Sequence, residues 1–243
     1  MQRVSKFSHF FLFSAVLAAM TVFFVGCGSG SSSSGTRIRF VNAALSSTIT
    51  SVNVLIDGTT VAPALANGGA ATAYISVAAG ARRIQIQDPS TSAFLIDTTP
   101  TISGNTTYII KDFITNTNTP LILTDDNSAP TSGNFKLRAI NLAPDLSAGT
   151  NVYVELSTIT TLNGLTPTFS GLTFPNGSAS SGAVSNYVTN TAGSWEVLFT
   201  PATSQGILAG GSAITFAAGQ VETLLIVEDT SGNFTEVPLV DVQ

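Results

Sequence analysis

Carboxylates are the residues best placed to do chemistry in this chain, and they fall in two groupings. Asp125-Asp126-Asn127 is the densest run of oxygen ligands, and a hard cation such as calcium is held by about six to eight oxygens around one point. A calcium-binding loop of the helix-loop-helix type needs further acids at alternating positions and a closing glutamate. Neither follows Asp125, so the run reads as a solvated linker and no residue is assigned to a metal. Glu222 and the pair Glu228-Asp229 suggest a glycosidase, whose two acids stand roughly 5 to 10 Å apart in a cleft. The strand pattern of Thr223 to Val227 lies between them and holds them on the order of 20 Å apart if extended. A carboxylate-dependent carbohydrate-active hydrolase is therefore the alternative reading, and no residue is assigned a catalytic role.

Rings and cations are the other candidates. Trp195 is the only tryptophan, and a sugar-binding platform needs such a ring in solvent; but it shares strand parity with Val197 and Phe199, which places it on an apolar face and in the core. The same logic buries the rings of Tyr74 and Tyr187, with their hydroxyls free to reach a sandwich edge. Arg39 and Arg138 recur at matching places in two similar segments. Paired anion-binding groups are one reading; strand-edge arginines bonded to a carboxylate or to backbone carbonyls are the preferred one. Arg82-Arg83 reads as a solvated strand start.

Imidazole and thiol chemistry is confined to the amino terminus. His9 is the only histidine and Cys27 the only cysteine. Arg3 and Lys6 precede sixteen mostly apolar residues, Phe10 to Val25, and then Gly26-Cys27, the layout of an export signal and too short for a span of about 20 residues. Phe24-Val25-Gly26-Cys27 resembles the bacterial lipobox, with Phe24 where leucine is usual. That resemblance implies cleavage before Cys27 and its lipidation, a thioether to diacylglycerol with further acyl chains such as palmitate. Several chains would anchor the protein durably, and Gly28 in place of aspartate favours the outer membrane under enterobacterial sorting. Residues 1–26 are thus expected as the signal peptide and 27–36 as a Gly/Ser tether spanning roughly 15 Å.

Without its signal the chain has neither imidazole nor free thiol, which excludes Ser-His-Asp and Cys-His nucleophiles and zinc sites built on those donors. Seven basic residues face fourteen acidic ones, a formal charge of −7, and eight acids but no base follow Arg138. Binding to a nucleic-acid backbone is excluded on that balance. No cofactor is implied.

The elements that must position these residues are strands, and they come twice. Arg39-Phe40-Val41-Asn42-Ala43 echoes in Arg138-Ala139-Ile140-Asn141-Leu142, and Val52-Asn53-Val54 in Val152-Tyr153-Val154. Tyr74, Ala79-Gly80 and Ile84-Gln85-Ile86 match Tyr187, Ala192-Gly193 and Val197-Leu198-Phe199. Ser103-Gly104-Asn105 before Tyr108 matches Ala218-Gly219-Gln220 before Thr223. Matching blocks in one order mark a duplicated unit, loosened most by an insertion around Thr158 to Gly177. Period-two runs, β-branched residues and turn signals such as Asp57-Gly58 predict an all-β chain of two tandem antiparallel β-sandwich domains, immunoglobulin- or transthyretin-like. The boundaries are 37–124 for the first sandwich, 125–134 for a linker and 135–243 for the second.

R-F-V-N-A followed by V-x-V-x-x-D-G, A-Y-x-x-x-x-A-G and G-x-x-Y resembles domain-of-unknown-function family 4397, found as tandem copies in exported and cell-surface bacterial proteins. The second copy keeps Arg138, Asn141, Pro144-Asp145, Val152, Val154, Tyr187, Ala192-Gly193 and Gly219, but has Leu156-Ser157 where the first has Asp57-Gly58. The resemblance implies no activity and no catalytic residue. Together these readings predict a lipid-anchored bacterial cell-envelope protein, periplasmic or surface-facing, with a non-catalytic binding or structural role. Its partners would be the membrane through the lipid anchor, and an envelope protein or a glycan.

Overall fold

The computed structural model describes residues 35–111, 119–156, 161–175 and 182–242. The expected signal 1–26, Cys27 and the expected tether as far as residue 34 lie outside them. Among the described residues every regular element is a strand apart from one short 3₁₀ turn, Pro144–Leu146. The first half of the chain holds β1 (Arg37–Asn42), β2 (Ser51–Ile56), β3 (Thr59–Ala66), β4 (Ala70–Ala71), β5 (Ile75–Ser76), β6 (Gly80–Ala81), β7 (Ile84–Gln87), β8 (Phe94–Thr98), β9 (Thr101–Ile102), β10 (Asn105–Ile110) and β11 (Leu121–Thr124). The second holds β12 (Asn134–Asn141), β13 (Thr150–Leu156), β14 (Phe169–Leu172), β15 (Val188–Thr191), β16 (Gly193–Pro201), β17 (Ala209–Phe216), β18 (Val221–Glu228) and β19 (Phe234–Val242).

Four of the five sheets among the described residues carry the architecture; the fifth is the two-stranded β6-β9. In each half an outer sheet, β3-β2-β7-β8 or β14-β13-β16-β17, packs on an inner one, β11-β10-β1 with β4 and β5, or β15-β12-β18-β19. Ile38, Phe40, Val52, Val54, Ile84, Ile86 and Tyr108 fill the first space, and Phe135, Leu137, Val152, Val197, Phe199, Phe216 and Leu224 fill the second. A third apolar cluster joins the inner sheets to each other: Val41, Ile109 and Leu121 from the first half meet Ile140, Leu225 and Leu239 from the second. Four sheets are therefore stacked face on face.

This stacking explains two kinds of strand sequence. β2, Ser-Val-Asn-Val-Leu-Ile, alternates between half-buried and buried because one face is open. β18, Val-Glu-Thr-Leu-Leu-Ile-Val-Glu, is buried at every position, as a strand covered on both faces must be. Asp57 and Gly58 both take positive φ (50° and 81°), the two-residue turn that matches strand twist, and they close the β2–β3 hairpin as their sequence predicts.

The expectation of antiparallel sheets needs correction at the centre of each inner sheet, where β1 runs parallel to β10 and β12 parallel to β18. Between the members of each pair the chain crosses to the outer sheet and back, so the returning strand enters from the same end. Burial on both faces suits such a pair.

The register also moves one repeat block. Arg39 stands beside Thr107 and Arg138 beside Thr223, so Thr223 corresponds to Thr107 and not to Tyr108. A slip of one residue exchanges the two faces of a strand. Tyr108 accordingly points into the first core against Phe40 (5.5 Å between ring centroids), its phenol pushed up to about 12 by burial, whereas Thr107 faces the other half.

Candidate functional site

On the faces where the inner sheets meet, the apolar cluster gives way to a group of charged and hydroxyl side chains. Residues 37, 39 and 41 of β1 share the face turned to the second half, and Lys136, Arg138 and Ile140 of β12 the face turned to the first. Arg39 and Arg138 donate through Nε to the hydroxyls of their own neighbours, Thr107 (2.7 Å) and Thr223 (2.9 Å). Those hydroxyls donate onward, Thr107 to Asp125 Oδ2 (2.6 Å) and Thr223 to Asp241 Oδ2 (2.8 Å). The outer nitrogens of the arginines cross over. Arg39 Nη2 binds Asp241 Oδ1 and Arg138 Nη2 binds Asp125 Oδ1.

The result is a closed ring of six hydrogen bonds, Arg39–Thr107–Asp125–Arg138–Thr223–Asp241 and back, in which each arginine serves the carboxylate of the other half. Its side chains are nearly dry: Asp125 and Asp241 are 0% exposed, Arg39 3% and Arg138 4%. Two tyrosines roof the ring. Tyr74 donates to Asp125 Oδ2 (2.6 Å) and Tyr187 to Asp241 Oδ2 (3.1 Å). Each phenyl face also receives two cations, Arg37 and Arg39 at 5.2 and 4.9 Å over Tyr74, and Lys136 and Arg138 at 5.0 and 4.9 Å over Tyr187, within cation–π range.

Burial, with the Asp125 carboxylate adding to it against Arg39, drives the Tyr74 phenol up. Burial does the same to Tyr187, opposed by Arg138 and helped by Asp241. Both hydroxyls therefore stay protonated and act as donors. Burial pulls Arg138 down, but Asp125 and then Tyr187 and Asp241 outweigh it and leave the guanidinium held above its ordinary value. Two cations and two anions cancel inside the ring. It has no open coordination position and no unpaired nucleophile, and what it does is hold the two halves together.

The candidates named from sequence sort themselves around this ring. Arg39, Arg138, Tyr74, Tyr187 and Asp125 converge in it. The reading of Asp125 as solvated linker is corrected: residues 125–133 form no strand, yet Asp125 is buried because the ring needs a carboxylate opposite Arg138. Asp126 does face solvent, bound to Lys136 (2.9 Å) and lowered to about 2 by Ser128 and Lys136. Asn127 donates to the carbonyl of Asp241 (3.5 Å). Among the described residues no three His, Cys, Asp or Glu side chains gather closely enough to hold a metal ion.

The remaining candidates stay apart. Glu222 and Glu228 sit at the two ends of β18, Glu222 accepting from Gln220 (2.6 Å) and Glu228 from the backbone of Asp145 (3.0 Å). Asp229 accepts from Ser231 and Asn233 in a turn. Trp195 packs against the second core, its ring edge-on to Phe135 at 6.1 Å and its Nε1 donating to Thr191. Arg82 pairs with Asp57, and Arg83 grips Asp97 with two nitrogens at the surface.

Glu222 carries a pH dependence. Burial, and secondarily the charge of Asp241, raise its carboxyl to about 7; Glu236 reaches about 7 by burial alone. A carboxyl that holds its proton more tightly in the folded state stabilises the fold below its unfolded pKa of about 4.3 and loses that contribution as pH rises through the folded value. Stability is therefore expected to decline between about pH 4 and pH 7. Glu222→Gln should flatten the decline and raise the urea midpoint at pH 8; an identical slope in the variant would show that Glu222 ionises like a surface acid.

Sequence reasoning passed over Asp241, Thr107 and Thr223. The signal for Asp241 was present as one more pair of similar segments, Leu121-Ile122-Leu123-Thr124-Asp125 and Val237-Pro238-Leu239-Val240-Asp241.

The family described as "Domain of unknown function (DUF4397)" has a model that matches residues 36–153, a stretch that holds Arg39, Tyr74, Thr107, Asp125 and Arg138 but stops before Tyr187, Thr223 and Asp241. No curated protein matches the chain. Among solved structures it is similar to a family 26 carbohydrate-binding module of Eubacterium rectale Amy13K in complex with maltoheptaose, with 10% sequence identity, 85% of this chain and 98% of that chain covered, and a TM-score of 0.29. It is also similar to a structure described as α-glucan recognition by family 41 carbohydrate-binding modules from streptococcal virulence factors, with 12% identity, 79% and 94% covered, and a TM-score of 0.25. No residue role is carried over from either.

Proposed function

We propose that the chain is a lipid-anchored protein of the bacterial cell envelope, cut before Cys27 and lipidated there, with two tandem β-sandwiches that serve a non-catalytic binding or structural role. One observation carries the reading. The acids, bases and phenols that converge, among the described residues, are spent on joining two stacks of sheets, with each carboxylate oxygen and each guanidinium satisfied from within. A catalytic group must touch a substrate, and these are closed to one.

The anchor rests on the sequence around Cys27, and with it the protein sits at the outer membrane, on its periplasmic or outer side. Cys27→Ser is expected to move the protein from the membrane pellet to a soluble or uncleaved form, because the acyl chains supply the lasting attachment; an unchanged membrane fraction in fractionated cells would contradict it. The non-catalytic role is tested by incubating the chain with glycans and envelope proteins beside hydrolase substrates. Turnover that disappears on replacing a single carboxylate would overturn it.

A further inference from the structure

The two outer sheets, alike in construction, are finished differently. In the second half the buried pair Val154–Val197 is followed across β13 and β16 by Tyr153 opposite Leu198, and the chain covers these two with Leu162 and Leu165. In the first half the buried pair Val54–Ile86 is followed across β2 and β7 by Asn53 opposite Gln87, and Gln87 is flanked on β8 by Phe94. No apolar cluster like that of Leu162 and Leu165 caps this face among the described residues. Phe94 is 52% exposed and belongs to none of the apolar clusters, although a phenyl ring of that size is ordinarily drawn into a core.

The surroundings of Phe94 are polar: amides and hydroxyls, with the exposed carboxylate of Asp88 in the adjoining turn accepting from Ser90 and Thr91. Asn53 and Gln87 are oriented by the chain, Asn53 Oδ1 accepting from the backbone of Ala64 (3.0 Å) and Gln87 Nε2 donating to the carbonyl of Ser92 (3.0 Å). Each amide keeps a further N–H for an outside partner. Farther along the same face Asp97 is occupied by Arg83 and by Gln85 (3.2 Å), so the charges there cancel. With those pairs neutral and Asp88 left over beside them, an acidic polymer finds no attraction on such a face. A ligand with one C–H face and a rim of hydroxyls matches it, because the ring takes the apolar face and the amides take the hydroxyls.

We propose that the outer face of the β3-β2-β7-β8 sheet binds a neutral polysaccharide, with Phe94 as the stacking ring and Asn53 and Gln87 as hydrogen-bonding groups. This rests on the non-catalytic binding role proposed above and gives it a ligand class and a surface.

The test passes the full chain, solubilised in detergent, over insoluble cellulose, chitin, amylose and purified peptidoglycan sacculi at low and high salt. Retention on at least one neutral polymer is expected, little changed by salt. Phe94→Ala should weaken it about tenfold or more, which corresponds to about 1.4 kcal/mol; Gln87→Ala should weaken it less and Phe94→Tyr should preserve it. Because Phe94 is largely in solvent, the alanine variant should keep the parent's thermal midpoint, which separates loss of binding from loss of fold. Failure of the parent chain to bind any of cellulose, chitin and amylose, binding that vanishes at high salt, or equal retention by Phe94→Ala would each overturn the proposal. Equal retention would leave non-catalytic binding standing at another face, whereas cleavage of the bound polymer would instead sink the proposed function itself.

Discussion

Replacing Arg138 with alanine is expected to cost the fold about 3–5 kcal/mol, because it leaves the Asp125 carboxylate dry and without its cation. The pair does not owe this to its attraction alone. Bringing two charges out of water is itself costly, and a buried pair replaced as a whole by apolar groups is often no less stable; the large loss comes from stranding one partner. Arg138→Ala also removes the Nε donor to Thr223 and exposes the face of Tyr187. Arg39→Ala should behave alike through Asp241. A double-mutant cycle on Arg138 and Asp125, read from urea unfolding, should return a coupling of about 1–3 kcal/mol. The surface pair Arg83–Asp97 is the control, and its loss should be hard to detect, since solvent screens it. If Arg138→Ala unfolded at the parent's urea concentration, the ring would not be what joins the halves.

Gly210→Ala is the second large effect. Gly210 has a φ of +100°, and a Cβ built on it would stand 1.9 Å from the carbonyl oxygen of Val197 and 2.9 Å from its carbonyl carbon. Those are backbone atoms of β16, which pairs with β17 here across a shift in register. No rotamer change can clear them. The strained φ and the overlap together should cost roughly 3–5 kcal/mol, enough to leave little folded protein at 37 °C. Gly58→Ala isolates the backbone contribution, since Gly58 also has positive φ (+81°) but nothing within 4 Å of its would-be Cβ; it should cost about 1–2 kcal/mol. Equal thermal midpoints for the two variants would refute the steric account.

The strands of the outer sheets were legible because one open face imposes period two, as in Val52, Val54 and Ile56. The inner strands were harder. β18 alternates nothing, and its order hides which residue faces which half, so a repeat matched on apolar character alone slipped by one and set Thr223 beside Tyr108. The ring was half visible: Arg39, Arg138, Tyr74, Tyr187 and Asp125 all drew notice for their type or recurrence. What the sequence could not show was that the partners are exchanged. Asp125 looked like linker because its neighbours Asp126, Asn127 and Ser128 are turn formers, and its burial depends on a strand from the other half. Phe94 was overlooked for the opposite reason. A lone phenylalanine in a strand reads as core, and only the bulge between Ile86 and Gln87 turns it outward.

The crossing of the two arginines has a consequence for either half on its own. Expressed alone, each would present a guanidinium and a carboxylate whose counterparts are missing. Covalent connection through the 125–133 segment makes that encounter an internal one, independent of concentration.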